Sequence, residues 1–262
     1  MKVNFFIVGT QKGGTTALHS ILSRSSGIQM SSPKEIHFFN DETIDWNCAD
    51  YSRLHACFDW NTQDVIRGEA TPIYCYWPTS IQRIHTYNPE AKIIMLLRHQ
   101  AHRAYSQWCM EFQRGDETLQ FEEAISEKGR LRVMQSPRGV HPVFSYIERG
   151  FYSRQIERIK VFFSDQNILF IRTDELWSNP QQTIEKITHF LGVQLLKVVH
   201  SEYIAPIINK LNDIPSECVQ FILNNKKLTD FYASDIKKTE NLTGIHLADW
   251  LDTKYSESIK RL

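Results

Sequence analysis

The chain opens on an apolar run, Phe5-Phe6-Ile7-Val8, that passes into Gly9-Thr10-Gln11-Lys12-Gly13-Gly14-Thr15-Thr16 and then into the helix-forming Ala17-Leu18-His19-Ser20-Ile21-Leu22. A strand turning through glycines into a helix aims several backbone N–H groups at one point, where the helix dipole also favours an anion. The pattern predicts a phosphate cradle. The same letters also describe a tight turn before an ordinary helix, with Thr15 as its cap. A nucleoside-triphosphate loop reads G-x-x-x-x-G-K-S/T, with its lysine after the last glycine and a hydroxyl beside it for magnesium. Gly9 and Gly14 keep that spacing, but Thr15 holds the lysine's place and the lysine sits inside the loop at position 12. From there it reaches a first phosphate and its bridging oxygen better than a terminal γ-phosphate, so a donor with two linked anionic groups fits better than ATP.

Beyond the loop, short apolar runs alternate with helical patterns, which predicts a three-layer α/β fold with a central, mainly parallel sheet. Strands are expected at Phe5–Val8, Ile28–Met30, Val65–Gly68, Lys92–Leu97 and Asn167–Ile171. Helices are expected at Thr15–Ser23, Thr79–Tyr87, Ala101–Phe112, Phe121–Glu127, Tyr152–Phe163, Pro180–Leu191 and, after a less regular stretch from Ser201, Lys226–Leu251. No repeat or linker divides the sequence, so residues 1–262 are expected to form a single domain. Lys+Arg and Asp+Glu balance at 30 each, which argues against nucleic acid or a membrane surface as partner. Cys48, Cys57, Cys75, Cys109 and Cys218 are scattered without metal-ligand spacing and are expected to be reduced, buried thiols. With no leader-like start and no apolar run of about 18 residues, the expectation is a cytoplasmic protein or the excised soluble part of something larger.

Two further constellations carry chemistry. Pro33-Lys34-Glu35-Ile36-His37-Phe38-Phe39 sets charged groups within an apolar segment, where they are costly unless paired or used. Either Lys34 and Glu35 face water while the apolar residues pack inward, or the carboxylate has a task near the cradle. After Lys92–Leu97 comes Arg98, with Ser106 eight residues on. Ligands of open parallel sheets bind beyond the carboxyl ends of the strands, so Arg98 can clamp a second phosphate and Ser106 can add a hydrogen bond. A magnesium-dependent phosphoryl-transfer enzyme places an aspartate in that region, so a cation there points to a site without metal. The segment Gly129–Arg149 carries Arg130, Arg132, Arg138, His141 and Arg149 and reads as an irregular basic connection, either a flap over the acceptor or a solvated loop.

Taken together, Gly9-x-x-Lys12-x-Gly14-Thr15-Thr16-Ala17-Leu18, Lys34-Glu35-Ile36-His37-Phe38-Phe39, Gly68-Glu69-x-Thr71-Pro72-x-Tyr74, Leu97-Arg98 with Arg103-Ala104-Tyr105-Ser106, Gly150-x-Tyr152 and Phe190-Leu191-Gly192-Val193 resemble the sulfotransferases that use 3′-phosphoadenosine-5′-phosphosulfate, PAPS. Bacterial members and heparan sulfate sulfotransferase domains are the nearest in pattern. The resemblance implies Lys12 at the donor's bridging region, Gln11 in the donor loop, and Gly13, Gly14, Thr15 and Thr16 on the 5′-phosphate. It further implies Arg98 and Ser106 on the 3′-phosphate, Glu35 as general base with His37 beside it, and PAP as product. The expected acceptor is a hydroxyl or amine of a small molecule or glycan. The sequence departs from the pattern at Ala70, where a lysine can occur, and at Gln107-Trp108-Cys109-Met110-Glu111, which lacks an acceptor-side histidine or lysine. A late basic loop for the 3′-phosphate is represented at most by Lys210. A P-loop nucleotide kinase or a non-catalytic nucleotide-binding protein remains the alternative; the former needs magnesium, and the latter has no use for Glu35.

Overall fold

The computed structural model describes residues 1–193, 226–252, 255 and 257; Lys210 and Cys218 lie outside the described residues. Its centre is a five-stranded parallel sheet of β1 (Phe5–Gly9), β2 (Ile28–Met30), β3 (Ile66–Ala70), β4 (Lys92–Leu97) and β5 (Ile168–Arg172), in the order β2-β3-β1-β4-β5. All five are the apolar runs read from the sequence, offset by at most two residues at an end. Parallel strands buried on both faces lose the polar alternation of a one-sided sheet, which is why they read as continuous apolar runs.

The two faces bury different sets of side chains. Phe5 and Ile7 of β1 with Ile94 and Leu96 of β4 pack beneath α1 (Thr15–Leu22) and the later helix Pro180–Leu191. Phe6 and Val8 with Ile93, Met95 and Leu97 pack on the other side, against Ser80–Tyr87, Gln100–Arg114, Tyr152–Phe162 and Lys226–Thr243. The period of two along each strand thus builds the three expected layers. In chain order the other helices among the described residues are α2 (Ser52–His55), α3 (Ser80–Tyr87), α4 (Gln100–Arg114), α5 (Phe121–Ala124), α6 (Glu127–Met134), α7 (Tyr152–Phe162), α8 (Thr173–Ser178), α9 (Pro180–Leu191) and α10 (Lys226–Thr243).

Three expectations need correcting. The helix expected over Phe121–Glu127 divides into α5 and α6, because the Ser126 hydroxyl accepts from the Gly129 N–H at 3.2 Å and starts a new helix. The helix expected to run to Leu251 stops at Thr243, before Gly244 in a left-handed conformation with φ of 69°, and a short 3-10 turn follows at Ala248–Leu251. Among the described cysteines only Cys75 is buried; Cys57 and Cys109 are half-buried and Cys48 is exposed. No helix among the described residues is long and apolar enough to cross a membrane.

The strand order places the functional elements. From β1 the chain moves out to the edge at β2 and returns to β3 beside β1, then crosses to β4 and β5 on the other side. The loops leaving β1 and β4 therefore diverge at the carboxyl edge of the sheet and open a crevice between them.

Candidate active site

The loop after β1 is tied down at several points. Thr10 N–H donates to the Leu96 carbonyl at 3.0 Å, Gly13 N–H donates to the Thr10 carbonyl at 2.9 Å, and the Thr173 hydroxyl donates to the Gly13 carbonyl at 2.9 Å. Gly14 precedes α1 with φ of 89°, and a Cβ there would stand 3.0 Å from the Trp177 ring, so conformation and space both require glycine. Trp177 comes from α8, a six-residue helix whose brevity leaves no apolar period to read in the sequence.

A cavity of about 510 Å³ lies over this loop. Gln11, Lys12, Gly14, Thr15, Thr16, Glu35, Arg98 and Ser106 all line it, so residues named from three separate sequence segments converge on one space. Gly13 is buried behind the loop, and His37 approaches through Glu35, with its Nε2 3.7 Å from the carboxylate. Ala17, Ser20, Pro72, Met110, Arg114 and Trp177 complete the walls, and none of them was named from the sequence as a site residue. Two of them were legible: Ser106, Met110 and Arg114 recur every fourth residue along α4 and so share one helical face.

Cationic groups crowd the wall formed by the loop after β1 and Arg98. Burial, followed by the nearby charges of Arg98 and Arg114, pushes the Lys12 ammonium below its ordinary value. The Arg98 guanidinium is buried, and its Nη1 donates to the Lys12 carbonyl at 2.9 Å. Its other edge grips Glu257, with Nε to the two carboxylate oxygens at 2.9 and 3.0 Å and Nη2 to one of them at 2.7 Å.

On the opposite wall, the segment after β2 is held against β3. Glu35 N–H donates to the Ala70 carbonyl at 3.2 Å, Ile36 N–H to Glu69 Oε1 at 3.4 Å, and His37 N–H to Thr71 Oγ1 at 3.4 Å. Phe38 and Phe39 are buried in the core on either side of this anchor, with their rings 5.2 Å apart. Lys12, Glu35 and His37 have φ of 65°, 61° and 56°, backbone conformations that cost non-glycine residues energy and persist where neighbours enforce them. Burial pushes the Glu35 carboxyl up, but hydrogen bonds from His37 and Lys34 and the charge of Lys34 outweigh it and hold the group at about 2. The same bond to Glu35 raises His37 above its ordinary value, against the opposing effect of its own burial. Competition between burial and cations at Glu35, open in the sequence, thus goes to the cations.

Glu69 behaves differently. It is fully buried, accepts a hydrogen bond from the Thr71 hydroxyl, and is pushed up to about 7 by burial. A carboxyl whose folded value exceeds its unfolded 4.5 contributes stability below that value that is lost as pH rises toward about 7. Above neutrality the loss amounts to at most about 3 kcal/mol. Glu69→Gln should therefore be more stable than the wild type at pH 8 and converge with it near pH 4.5, as followed by urea unfolding across that range.

The Gly129–Arg149 segment is more ordered than an irregular connection at its start, with a 3-10 turn at Pro137–Gly139 further on. It begins inside α6, and its basic residues are already engaged: Arg130 with Glu148 at 2.7 Å, Arg132 with Glu117 at 2.8 Å and Arg138 with Glu42 at 2.7 Å. Arg149, fully buried, donates to the Gln11 side chain and to the Pro142 carbonyl at 2.7 Å, which fastens the segment to the phosphate loop. Charges spent on internal pairs do not form a track for a polyanion.

Comparison with known proteins agrees with this geometry. Residues 2–212 match the family model described as the sulfotransferase domain. The human bifunctional heparan sulfate N-deacetylase/N-sulfotransferase 2 is 31% identical over 207 residues, covering 72% of this chain and 22% of that protein. The heparan sulfate glucosamine 3-O-sulfotransferase 6 of Mus musculus is 27% identical over 191 residues, covering 72% of this chain and 52% of the relative. The chain thus spans 22% of the length of the N-deacetylase/N-sulfotransferase relative. Among solved structures, a sulfotransferase from Alicyclobacillus acidocaldarius superposes with a TM-score of 0.75 at 26% identity, covering 95% of this chain and 99% of that one. A family match across most of the sequence, on a parallel sheet whose crevice gathers Lys12, Glu35 and Arg98, establishes that the chain belongs to the sulfotransferase family.

Proposed function

We propose that the chain transfers a sulfuryl group from PAPS to a hydroxyl or amine of a small molecule or short glycan. The observation that carries this reading is the convergence of Lys12, Arg98 and Glu35 on one cavity, two cations on the donor side and a carboxylate opposite. The cavity fits an anionic nucleotide: its volume lies in the range of small-ligand sites, and the mutual repulsion of Lys12, Arg98 and Arg114 is relieved by an anion among them. Lys12 and the N–H groups at the start of α1 hold the 5′-phosphate end, while Arg98 and Ser106 hold the 3′-phosphate.

In the transfer, an acceptor oxygen or nitrogen attacks sulfur as the bond from sulfur to the 5′-phosphate oxygen breaks, and the bisphosphate leaves with the bond's electron pair. Lys12 neutralises the negative charge growing on that oxygen. Glu35 takes the acceptor's proton, so charge and atoms balance without a further reactant. His37 and Lys34 set how readily it does so, through their hold on the same carboxylate. Support for glycan acceptors comes from the names of the heparan sulfate relatives; support for a compact acceptor comes from the internally paired Arg130, Arg132 and Arg138.

Isothermal titration with adenosine 3′,5′-bisphosphate tests the donor site. Binding to the wild type is expected, with a weakening on the order of 10–100-fold in Arg98→Ala from the lost charge-assisted hydrogen bonds. A wild type that ignores the bisphosphate but binds ATP with magnesium would return the kinase alternative.

A further inference from the structure

Glu257 is far from the donor loop in sequence, yet its side chain is only 16% exposed and its carboxylate lies against Arg98, 159 positions away. The guanidinium presents two edges. One nitrogen, Nη1, is committed to the Lys12 carbonyl, which leaves the Nε and Nη2 fork as the edge able to take a second anion side-on. That fork holds Glu257, and His102 Nδ1 approaches the same carboxylate at 3.5 Å from one turn into α4. His102 shares the α4 face of Ser106, four residues further on. An arginine and a histidine converging on one buried carboxylate, on the same helical face as a hydroxyl that lines the donor cavity, form a seat for a small oxyanion.

Described residues that precede Glu257 are anchored as well. Arg172 Nη2 pairs with Asp249 at 2.7 Å, His99 Nε2 donates to the Trp250 carbonyl at 3.1 Å, and the Tyr255 ring stacks on His99 with centroids 5.1 Å apart. The Tyr255 hydroxyl donates to Asp174 at 3.2 Å, beside the Arg172 pair. These contacts deliver Glu257 without involving the phosphate loop itself.

We propose that Arg98 and His102 form one anion seat that the Glu257 carboxylate and the donor's 3′-phosphate occupy in turn, so that Glu257 is a built-in competitor of the donor and His102 a further donor-binding residue. The proposal rests on the donor reading above. One fork cannot hold two anions at once, so a bound 3′-phosphate requires Glu257 to leave. Apparent donor affinity is then reduced by the fraction of molecules whose seat is open. Adenosine 5′-phosphate, which has no 3′-phosphate, binds with the seat filled or empty.

Calorimetric titration of the full chain separates the possibilities. With the seat closed in about nine molecules of ten, Glu257→Gln binds adenosine 3′,5′-bisphosphate about tenfold more tightly than the wild type and adenosine 5′-phosphate equally well. Adding His102→Gln in the Glu257→Gln background then weakens the bisphosphate several-fold and spares the monophosphate. A measurement on the unmodified chain guards against a folding defect: saturating bisphosphate speeds hydrogen exchange at the Tyr255 amide, which donates to the Asp252 carbonyl at 3.0 Å. Equal or weaker bisphosphate binding by Glu257→Gln, or unchanged exchange at Tyr255, overturns the competitor while Arg98→Ala still reports a working donor site. Bisphosphate binding by none of these proteins overturns the donor reading and the competitor with it.

Discussion

Glu35→Gln should bind adenosine 3′,5′-bisphosphate as the wild type does and turn over about 10²–10⁴ times more slowly, the usual worth of a positioned general base. The amide keeps the size of the side chain and loses the capacity to accept a proton. Because the proposed phosphate-binding groups lie on the loop after β1, at Arg98 and on α4, while Glu35 is held by Ala70 and its neighbours by Glu69 and Thr71, the two proposed functions sit on separate elements. Kinetics with saturating donor and a panel of hydroxyl and amine acceptors check this; turnover preserved in Glu35→Gln removes it as the base. The position of the carboxyl near 2 adds a pH signature. In the free enzyme Glu35 is ionised well below neutrality, so kcat/KM should show no acid limb from this group above about pH 4. An acid limb near the ordinary carboxylate value would mean that Lys34 and His37 do not hold it.

The second large effect is expected at Lys12. Lys12→Ala should lower kcat by about 10²–10³, the range found when one preorganised donor to a developing negative charge is removed. Affinity for the bisphosphate product should fall as well, since the half-buried ammonium stands beside Arg98 and Arg114 and its charge is only partly screened there. Lys12→Arg does not restore the wild-type rate: the left-handed backbone at φ of 65° aims one particular stem into the cavity, and a planar fork presents its charge differently. Single-turnover rates with saturating donor distinguish this loss from slower product release.

Much of this was readable in the chain itself, for definable reasons. The five strands announce themselves because a parallel sheet covered on both faces needs unbroken apolar runs, and turn residues bound each one. The crevice followed from the same logic, since a glycine loop after β1 and an arginine after β4 are neighbours once those strands pair. What stayed hidden depends on contacts without local signature. Trp177 reaches Gly14 from a helix too short to carry a period, and the hold of Lys34 and His37 on Glu35 depends on side-chain directions that spacing does not fix. The basic residues between 129 and 149 looked available because their partners Glu42, Glu117 and Glu148 are dispersed along the sequence. Glu257 could not be anticipated at all, for nothing near Tyr255 marks it as a partner of a residue 159 positions earlier.

The guanidinium of Arg98 touches a main-chain oxygen of the donor loop with one nitrogen and an acidic group with its other two. Whatever occupies the outer edge is therefore joined, through a single rigid plane, to the peptide that carries Lys12. On the proposed donor pose, the group at the nucleotide's 3′ end would thus share one guanidinium with the peptide of the residue that neutralises the leaving oxygen. A primary amine at position 98 would preserve the charge and sever the linkage, leaving an enzyme that still attracts its donor but no longer registers that both ends have arrived.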